Sequence, residues 1–399
     1  MIAGVYLYYL LAALACWTGI KSLLSGFRFV AYVRRETSRP LPDFRPFASV
    51  IAPGRGLEPG LNDNLRTLLT QDYPRYEVLF VFDRADDPAI KVVEELTATS
   101  DAATRTIIAG PATDRGQKVH NLSVAVTEIV PESEVIVFVD TDARPSKDWV
   151  RNLIAPLADE TIGAATGYRW FVSERGGIAS RLRSVWNASV ASALGSDTTK
   201  NFCWGGSTAI RRSTFEHLGI RDRWRGTVSD DFTVTKVLKQ AKLPIHFTPN
   251  CLVASVGDCD FKELFEFTTR QIKITRVYAP HLWLPLLLGS ALFTIVFFGS
   301  LTLISVYPRS AAAYIFTGII FALGATKAFI RWRAVTIALS EHRSALRRDL
   351  LAQIFLWPFA SVLYLYNAIA AGFSRRINWR GITYELKSPN EAVIISREL

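Results

Sequence analysis

The stretch that most constrains the fold is an apolar segment that runs directly into two carboxylates. Residues 135–139 are apolar and mostly β-branched, Asp140 and Asp142 follow them, and Pro145 ends the segment. β-branched and aromatic residues bounded by turn residues predict a buried strand. Because open α/β sheets bind ligands at the carboxyl ends of their strands, the acidic pair predicts a site for a divalent cation, Mg²⁺ or Mn²⁺. Turns are also rich in aspartate for conformational reasons, so the pair alone leaves both interpretations open.

Strands and helices alternate around this segment. Further strands are predicted over residues 47–52, 76–82, 106–109 and 163–171, and helices over residues 62–71, 89–97, 176–194 and 261–278. This alternation predicts crossover units and an α/β fold with a Rossmann-like, mostly parallel sheet. The first strand is not followed by a Gly-x-Gly-x-x-Gly turn, which argues against a dinucleotide cofactor. The helix over residues 176–194 fits two interpretations, an amphipathic helix at a membrane surface or a helix that faces the core.

Four apolar runs are long enough to cross a bilayer, at residues 2–24, 282–306, 311–330 and 350–373. Arginines beside these runs account for much of the net charge of +10, so the positive-inside rule places the domain after the first run in the cytosol. The basic residues 374–380 do not fit an outward tail after four crossings. Either the last run does not fully cross, or the cytosolic arginines outweigh the tail. Because the arginines flank apolar runs and no aromatic-basic motif occurs, nucleic-acid binding is not expected.

Three acidic positions lie at predicted strand ends or helix starts: Asp87, the pair Asp140 and Asp142, and Asp230 with Asp231. Each position alone is typical of a turn or a helix N-cap. Together they suit the transfer of a sugar from a nucleotide diphosphate. The first carboxylate would receive the base or ribose, and the pair would hold a cation against the leaving diphosphate. The third position would take the proton of an attacking hydroxyl.

Several short motifs carry a resemblance to a known family. They are Pro53 with Gly56, Asn64-Leu65, residues 71–78, Asp86-Asp87-Pro88-Ala89, Lys118 with Asn121-Leu122, Asp140, Gly205-Gly206-Ser207 and Asp230-Asp231. On these residues the chain resembles membrane-bound glycosyltransferases of families 2 and 21, most closely ceramide glucosyltransferases and their bacterial relatives. The resemblance covers nearly the whole chain and implies a GT-A-like catalytic domain joined to transmembrane helices.

The resemblance implies an inverting glycosyltransferase that moves a sugar from a nucleotide-sugar, a UDP-hexose, to the hydroxyl of a membrane lipid such as ceramide. Asp231 would be the general base with Asp230 beside it, and Asp140 and Asp142 would hold the metal. The implied nucleotide-sugar-binding residues are Pro53, Gly56, Asp87, Lys118, Asp140, Arg270, Lys273 and Arg276, and the implied acceptor-binding residues are Trp204, Gly205 and Gly206.

The chain departs from the family pattern on the helix over residues 261–278. Where the family carries an arginine followed by a tryptophan, this sequence has Lys273 followed by Ile274. Lysine keeps a charge toward a diphosphate but loses the bidentate fork, which Arg276 would replace from the same helix face. The missing tryptophan argues against a processive polysaccharide synthase and leaves open a catalytically silent nucleotide-binding membrane scaffold. A polyprenyl-phosphate or polysaccharide glycosyltransferase, with the same chemistry and another acceptor, is the other alternative.

These observations predict five segments: an N-terminal transmembrane helix and linker over residues 1–36, a GT-A-like catalytic domain over 37–260, an interfacial amphipathic helix over 261–280, C-terminal transmembrane helices over 281–373 and a tail over 374–399. The expected protein is an integral protein of a bacterial inner membrane with a cytoplasmic catalytic domain, and its partners are a nucleotide-sugar, a lipid acceptor and the bilayer. Its four cysteines show no paired metal spacing and are interpreted as unpaired thiols in a reducing compartment. The sugar itself stays open, because it depends on loops around Tyr168, Arg169 and Trp204.

Overall fold

The computed structural model of the protein describes residues 2–397, with the side chains of residues 6–397. The chain forms two compact units, each of them discontinuous in sequence. The sheet unit comprises Arg35–Val172, Ala193–Gly257 and Arg375–Leu399, and the helical unit comprises Met1–Arg34, Ser173–Ser192 and Asp258–Ser374.

A seven-stranded sheet forms the centre of the sheet unit in the described residues. Its strands are β1 (Ala48–Pro53), β2 (Tyr76–Phe82), β3 (Ala103–Ile108), β4 (Val135–Val139), β5 (Ala164–Val172), β6 (Ser207–Arg211) and β7 (Ile245–Val256). Their spatial order is β3-β2-β1-β4-β6-β5-β7. Neighbouring strands are parallel except for the two pairs that β6 makes, with β4 and with β5. The predicted α/β class with a mostly parallel sheet is therefore confirmed.

Helices of the sheet unit lie between these strands in the chain. They are α2 (Leu61–Leu69), α3 (Pro88–Thr97), α4 (Gln117–Glu128), α5 (Trp149–Ile154), α7 (Arg212–His217), α8 (Ile220–Arg223) and α9 (Asp230–Gln240). The apolar faces of the sheet and of α4 and α9 share one core, in which Phe138 and Trp224 are buried with ring centroids 5.8 Å apart. This packing fixes the C-terminal end of β4 and the first turn of α9, beside which the acidic residues lie.

Strands β6 and β7 are not predicted from the sequence. The β7 strand contains Pro249-Asn250, a pair typical of turns, and the strand accommodates it in a bulge. Thr166 of β5 pairs with Phe247 and Tyr168 with Leu252, so four residues of β7 face Gly167 alone. The Pro-Asn pair, which is typical of turns, therefore marks a bulge within β7 and not the end of a strand.

Residues 376–397 of the tail predicted over residues 374–399 are folded. They form an antiparallel three-stranded sheet of β8 (Arg376–Trp379), β9 (Ile382–Ser388) and β10 (Glu391–Arg397). Arg380 and Gly381 connect β8 to β9 with φ angles of 54° and 71°. Positive φ at both central residues is the geometry of a tight hairpin turn that matches the twist of the strands. Tyr384 and Leu386 are buried, which gives this sheet an apolar face.

The helical unit is built from long and short helices. They are α1 (Ile2–Thr37), α6 (Ile178–Ala191), α10 (Phe261–Tyr278), α11 (Pro280–Val306), α12 (Ala311–Ala338), α13 (Arg343–Arg348), α14 (Leu350–Phe355) and α15 (Trp357–Phe373). In the described residues, three of them are long and apolar enough to cross a membrane: α1 from Tyr6, α11 and α12.

The fourth predicted span, over residues 350–373, is not one helix. The chain breaks at Leu356 between α14, of 6 residues, and α15, of 17 residues. Pro358 lies in the first turn of α15. Because proline has no N–H and its ring collides with the preceding turn, it starts a helix well and interrupts a continuous one. Without a fourth full crossing, the basic residues 374–380 no longer conflict with the positive-inside rule.

Helix α6 faces the core of the helical unit, which decides between the two interpretations of residues 176–194. Trp186 of α6 is buried and stacks on Tyr364 of α15, with ring centroids 4.8 Å apart and an interplanar angle of 18°. The hydroxyl of Tyr364 donates a hydrogen bond to the carbonyl oxygen of Trp186 at 2.8 Å. A helix lying on a membrane surface would instead direct its largest apolar side chain into lipid.

We predict that Gly167→Ala destabilises the protein by about 2 kcal/mol or more, the cost of overpacking a core against fixed backbone. A Cβ atom at this position would lie 1.9 Å from the carbonyl oxygen of Cys251 and 2.4 Å from Ser207 Oγ. Gly195→Ala is the matched control, because a Cβ atom there meets no atom within 4 Å. The measurement is the thermal midpoint in detergent, and equal midpoints for the two variants would contradict the proposed packing of the bulge.

Candidate active site

The carboxyl edge of the parallel strands collects most of the predicted site residues. Gly56 follows β1, Asp87 follows β2, and Asp140 follows β4 directly. The antiparallel strand β6 begins at the same edge, because Ser207 pairs with Val139. The glycines at positions 205 and 206, which precede Ser207, are thereby placed beside Asp140.

Asp140 lies between two cations. Its Oδ1 atom is 2.6 Å from Lys118 Nζ, and its Oδ2 atom accepts a hydrogen bond from Arg169 Nη2 at 2.9 Å. Burial by itself would raise the pKa of Asp140, but the ammonium of Lys118 and the guanidinium of Arg169 lower it below its ordinary value. The carboxylate is therefore ionised at neutral pH.

Asp142 shares the same guanidinium. Arg169 Nη1 donates to its Oδ2 atom at 3.0 Å, and Nη2 donates to its Oδ1 atom at 3.3 Å. The guanidinium also lies over the ring of Trp204, with 4.7 Å between the guanidinium carbon and the ring centroid. Stacking and a forked hydrogen bond together fix the plane of Arg169 beside both carboxylates.

Asp230 and Asp231 begin helix α9, and Ser229 is its N-cap as its position suggests. Asp230 is buried and its Oδ1 atom is 3.4 Å from Lys118 Nζ. Asp231 is half-buried, and its carboxylate accepts hydrogen bonds from the backbone N–H of Phe232 at 2.7 Å and from that of Gly205 at 3.4 Å. The two adjacent carboxylates thus have different surroundings.

Burial raises the pKa of Asp230 to about 7; the ammonium of Lys118 opposes this effect, and the nearby charges of Asp231 and Asp140 add to it. Burial would lower the pKa of Lys118, but the three carboxylates around it raise that pKa above its ordinary value. The ammonium is therefore the fixed positive charge that Asp140 and Asp230 share.

Gly205 and Gly206 have no room for side chains. A Cβ atom on Gly205 would lie 2.2 Å from Asp230 Oδ2 and 2.8 Å from Lys118 Nζ. On Gly206 it would lie 2.7 Å from Asp140 Oδ2 and closer still to the indole of Trp204. The glycine pair lets the backbone approach both carboxylates, which any larger residue would displace. A role of these glycines and Trp204 toward an acceptor stays a prediction.

The loop after β1 is held by Asp87. The backbone N–H of Gly56 donates to both carboxylate oxygens of Asp87, at 2.9 and 3.1 Å, and the N–H of Ala89 donates at 2.9 Å. Gly56 has a φ of 67°, a conformation that favours glycine. Pro53 is the last residue of β1, so the segment from Pro53 to Gly56 is fixed at both ends.

Glu58 and Arg380 were not assigned to the site from the sequence, and Arg169 was expected only in a loop near the sugar. Arg169 lies within β5 rather than on a loop, and a charged residue in an otherwise apolar buried strand is a usable signal for it. Glu58 and Arg380 are hydrogen-bonded to each other, and Arg380 also donates to the carbonyl oxygen of Arg55 at 3.0 Å. Burial raises the pKa of Glu58 to about 6, which the cation of Arg380 opposes and the charges of Asp142 and Asp140 increase. No local signal marks the Glu58–Arg380 pair, because the C-terminal sheet supplies one partner.

The predicted basic residues Arg270, Lys273 and Arg276 belong to the helical unit, on α10. Arg276 donates a hydrogen bond to the carbonyl oxygen of Ala371 and lies over the ring of Trp283, 5.2 Å from its centroid. Contacts within the helical unit therefore hold this guanidinium. Binding of the nucleotide-sugar by these three residues stays a prediction.

The carboxylates at the strand edge could supply some, but not all, of the ligands of a divalent cation. In the described residues no group of three or more His, Cys, Asp or Glu side chains is arranged to hold a metal. Asp140 and Asp142 nevertheless supply hard oxygen ligands, and Mg²⁺ is commonly bound by one or two carboxylates together with substrate phosphates. The donor set suits a cation that binds with a diphosphate.

The comparison with sequence families identifies the chain. The sequence profile of glycosyl transferase family 21 matches residues 7–392, nearly the whole chain. The chain belongs to glycosyl transferase family 21. It is a glycosyltransferase, and the resemblance stated from the motifs is confirmed at the level of the family.

Solved structures similar to this family 21 chain include other glycosyltransferases. The mannosyltransferase PcManGT from Pyrobaculum calidifontis, solved with GDP-Man and Mn²⁺, is 20% identical, with 91% of this chain and 98% of that chain covered and a TM-score of 0.48. S. aureus TarS 1-349 in complex with UDP is 14% identical, with 88% and 100% covered and a TM-score of 0.37. GalNAc-T7 with UDP, GalNAc and Mn²⁺ is 13% identical, with 54% and 44% covered and a TM-score of 0.36.

We predict that Asp230 makes stability fall as the pH rises toward neutrality. Its pKa is about 7 in the folded protein against an ordinary value of 3.8, so the folded state holds a proton that the unfolded state releases. The contribution is complete below pH 3.8 and is lost as the pH rises through 7. Asp230→Asn should therefore gain stability relative to the unmodified protein between about pH 5 and about pH 8, measured as thermal midpoints.

Asp43→Asn is the control for this experiment, because the Asp43 side chain is 88% exposed. Its midpoints should run parallel to those of the unmodified protein over the same pH range. Parallel curves for Asp230→Asn as well would show that Asp230 does not titrate in this range, and the explanation from burial would be wrong.

Proposed function

We propose that this glycosyltransferase is inverting and moves a hexose from a UDP-sugar to the hydroxyl of a membrane lipid such as ceramide or a similar bacterial lipid. One observation carries the proposal: Lys118 and Arg169 meet Asp140, Asp142 and Asp230 at the carboxyl edge of the sheet. Fixed cations beside carboxyl groups suit a leaving diphosphate on one side and a proton acceptor on the other.

The diphosphate of the donor would bind against the cations at the end of β4. Lys118 and Arg169 are both largely buried, and each is already oriented by carboxylates. Charges oriented in advance stabilise the negative charge that develops on a leaving group without reorganising during the reaction. A divalent cation, Mg²⁺ or Mn²⁺, held by Asp140 and Asp142 would add further charge against the same diphosphate.

The nucleotide would lie over the loops after β1 and β2. Because the carboxylate of Asp87 already accepts three N–H bonds from Gly56 and Ala89, its role is to shape the loop from Pro53 to Gly56 for the uridine. A fixed loop lowers the conformational cost of binding a base and ribose. Arg270, Lys273 and Arg276 of α10 are proposed as further cations for the nucleotide-sugar.

The acceptor hydroxyl would react at the start of α9. Asp231, the more exposed of the two adjacent carboxylates, takes the hydroxyl proton while the oxygen attacks the anomeric carbon. The bond from that carbon to the diphosphate oxygen breaks, and the nucleoside diphosphate leaves with the electron pair. Direct displacement inverts the configuration at the anomeric carbon. Asp230 holds Lys118 in place through this step.

A lipid acceptor is supported by the helical unit. Three helices in its described residues are long and apolar enough to cross a membrane. The arginines that follow α1 and α12 in the chain favour a cytoplasmic location of the sheet unit, in a bacterial inner membrane. A UDP-sugar made in the cytoplasm would then meet a lipid hydroxyl at the cytosolic leaflet.

We predict that Asp231→Asn lowers the rate of sugar transfer by about 10²–10⁴-fold, the usual contribution of a general base, while UDP affinity changes little. The assay uses the purified full chain in detergent with Mn²⁺, UDP-glucose or UDP-galactose, and ceramide or polyprenyl phosphate as acceptor. Asp222→Asn, an exposed carboxylate in the same unit, is the control. Proton NMR of the product reports the anomeric configuration.

Three results would contradict this proposal. Near-normal turnover of Asp231→Asn would remove the base assignment, and retention of configuration would exclude direct displacement. If the unmodified protein neither transfers sugar to a lipid nor hydrolyses any UDP-sugar, that result would favour the silent scaffold.

A further inference from the structure

We propose that the helical unit binds the phosphate of an anionic phospholipid in a cavity lined by Lys327 and Arg331. The proposal concerns α1, α6, α11, α12 and α15 of the helical unit and does not depend on the sugar chemistry of the sheet unit. The cavity has a volume of about 300 Å³. Its walls are mostly apolar, and the two cations both come from α12.

The two cations lack acidic partners. Lys327 Nζ is 2.6 Å from Ser22 Oγ, and Arg331 Nη1 is 3.5 Å from Ser189 Oγ. Among the side chains of residues 6–397, neither cation forms an ion pair, and no acidic residue lines the cavity. Arg331 is 4% exposed, and its Nε atom is buried without a hydrogen-bond partner in this part of the chain. Two hydroxyls accept hydrogen bonds but do not neutralise two positive charges.

Two unneutralised cations within a membrane-spanning helix imply an anionic ligand. A charged side chain inside a bilayer is costly unless it meets an opposite charge, water or the interface. By helix geometry, Arg331 is about 10 Å and Lys327 about 16 Å from the end of α12 at Ala338. A phosphate bound there would satisfy the free Nε donor of Arg331 and the charge of Lys327 together.

The position of these cations is set by close helix packing. A Cβ atom on Gly26 of α1 would lie 3.3 Å from Lys327 Cγ, and one on Gly19 would lie 3.1 Å from Leu323 Cδ1. On α12 itself, a Cβ atom on Gly324 would lie 2.3 Å from the indole of Trp357. Small residues let these helices approach closely, and this packing positions the walls of the cavity.

An apolar groove continues from the cavity and identifies the ligand as a lipid. This groove, of about 330 Å³, is lined by residues of α1 and α11 and shares Thr18, Gly289 and Leu292 with the cavity. Its other lining residues are Leu11, Leu14, Leu288 and Ile295. Leu288 and Ile295 are exposed and would face the bilayer. A charged cavity that opens into an apolar groove matches a phosphate attached to an acyl chain, whereas free phosphate would use only the cavity.

The first test measures lipid bound to the purified full chain in mixed micelles by native mass spectrometry. We expect the unmodified protein to retain dioleoylphosphatidylglycerol in preference to dioleoylphosphatidylcholine, with the thermal midpoint raised accordingly. The double variant Lys327→Gln with Arg331→Gln should bind phosphatidylglycerol about tenfold more weakly or worse, the loss expected for charge-assisted hydrogen bonds. Arg333→Gln, an exposed cation two residues further along α12, is the control and should bind normally.

A second variant keeps the proposal testable if the double variant does not fold. A Cβ atom on Gly289 would meet no atom within 4 Å, so Gly289→Leu can place its side chain at the junction of cavity and groove and narrow it without removing a charge. It should lose phosphatidylglycerol, whereas Gly299→Leu on the same helix, also in open space and away from the cavity, should not.

Three outcomes would overturn the proposal. Equal retention of the anionic and the zwitterionic lipid by the unmodified protein would exclude recognition of the anionic headgroup. Stabilisation by inorganic phosphate as strong as that by phosphatidylglycerol would mean an anion site without a lipid. Retained preference for phosphatidylglycerol in both test variants would place the lipid elsewhere on the protein.

Discussion

The site depends on the charge balance around Asp140. This carboxylate directly follows β4, accepts hydrogen bonds from Lys118 of α4 and from Arg169 of β5, and so joins three elements of the sheet unit. Removing one partner of a buried ion pair leaves an uncompensated charge, at a cost of about 3–5 kcal/mol. Asp230 shares the ammonium of Lys118, so the start of α9 is tied to the same balance. The fold holds Asp140 ionised and keeps the acidic residues close together and oriented before any substrate binds.

Backbone geometry makes this balance possible. Because β6 runs antiparallel beside β4, the two residues before Ser207 pass directly over the carboxylates, and only glycine fits at both positions. The bulge opposite Gly167 lets β7 follow β5 through its Pro-Asn pair, so that Arg169 is paired with Val253 and reaches Asp140. The constraint on the chemistry is thus steric as well as electrostatic.

The sequence predicts those residues of the candidate site that directly follow predicted strands. β2 and β4 have the bounds that their apolar runs predict, and Asp87 and Asp140 lie at one edge because parallel strands direct their carboxyl ends there. Asp230, at the start of α9, reaches the same group through Lys118, which no strand end predicts. Arg169 could not be assigned to the carboxylates, since it lies in a strand whose pairing partners are remote in sequence. Arg380 was missed because its own turn, Arg380-Gly381, lacks the Asn-Gly or Asp-Gly pair that marks a hairpin.

The most direct test of the account is whether the acidic pair after β4 links UDP binding to a divalent cation. Isothermal titration calorimetry of UDP with the purified chain, with and without Mn²⁺, should give tighter binding with the metal for the unmodified protein. Asp140→Ala combined with Asp142→Ala should remove this difference, while Asp63→Ala, whose side chain is 67% exposed, should keep it. If the double variant retains the same gain from Mn²⁺, the pair does not hold the cation, and the central claim is wrong.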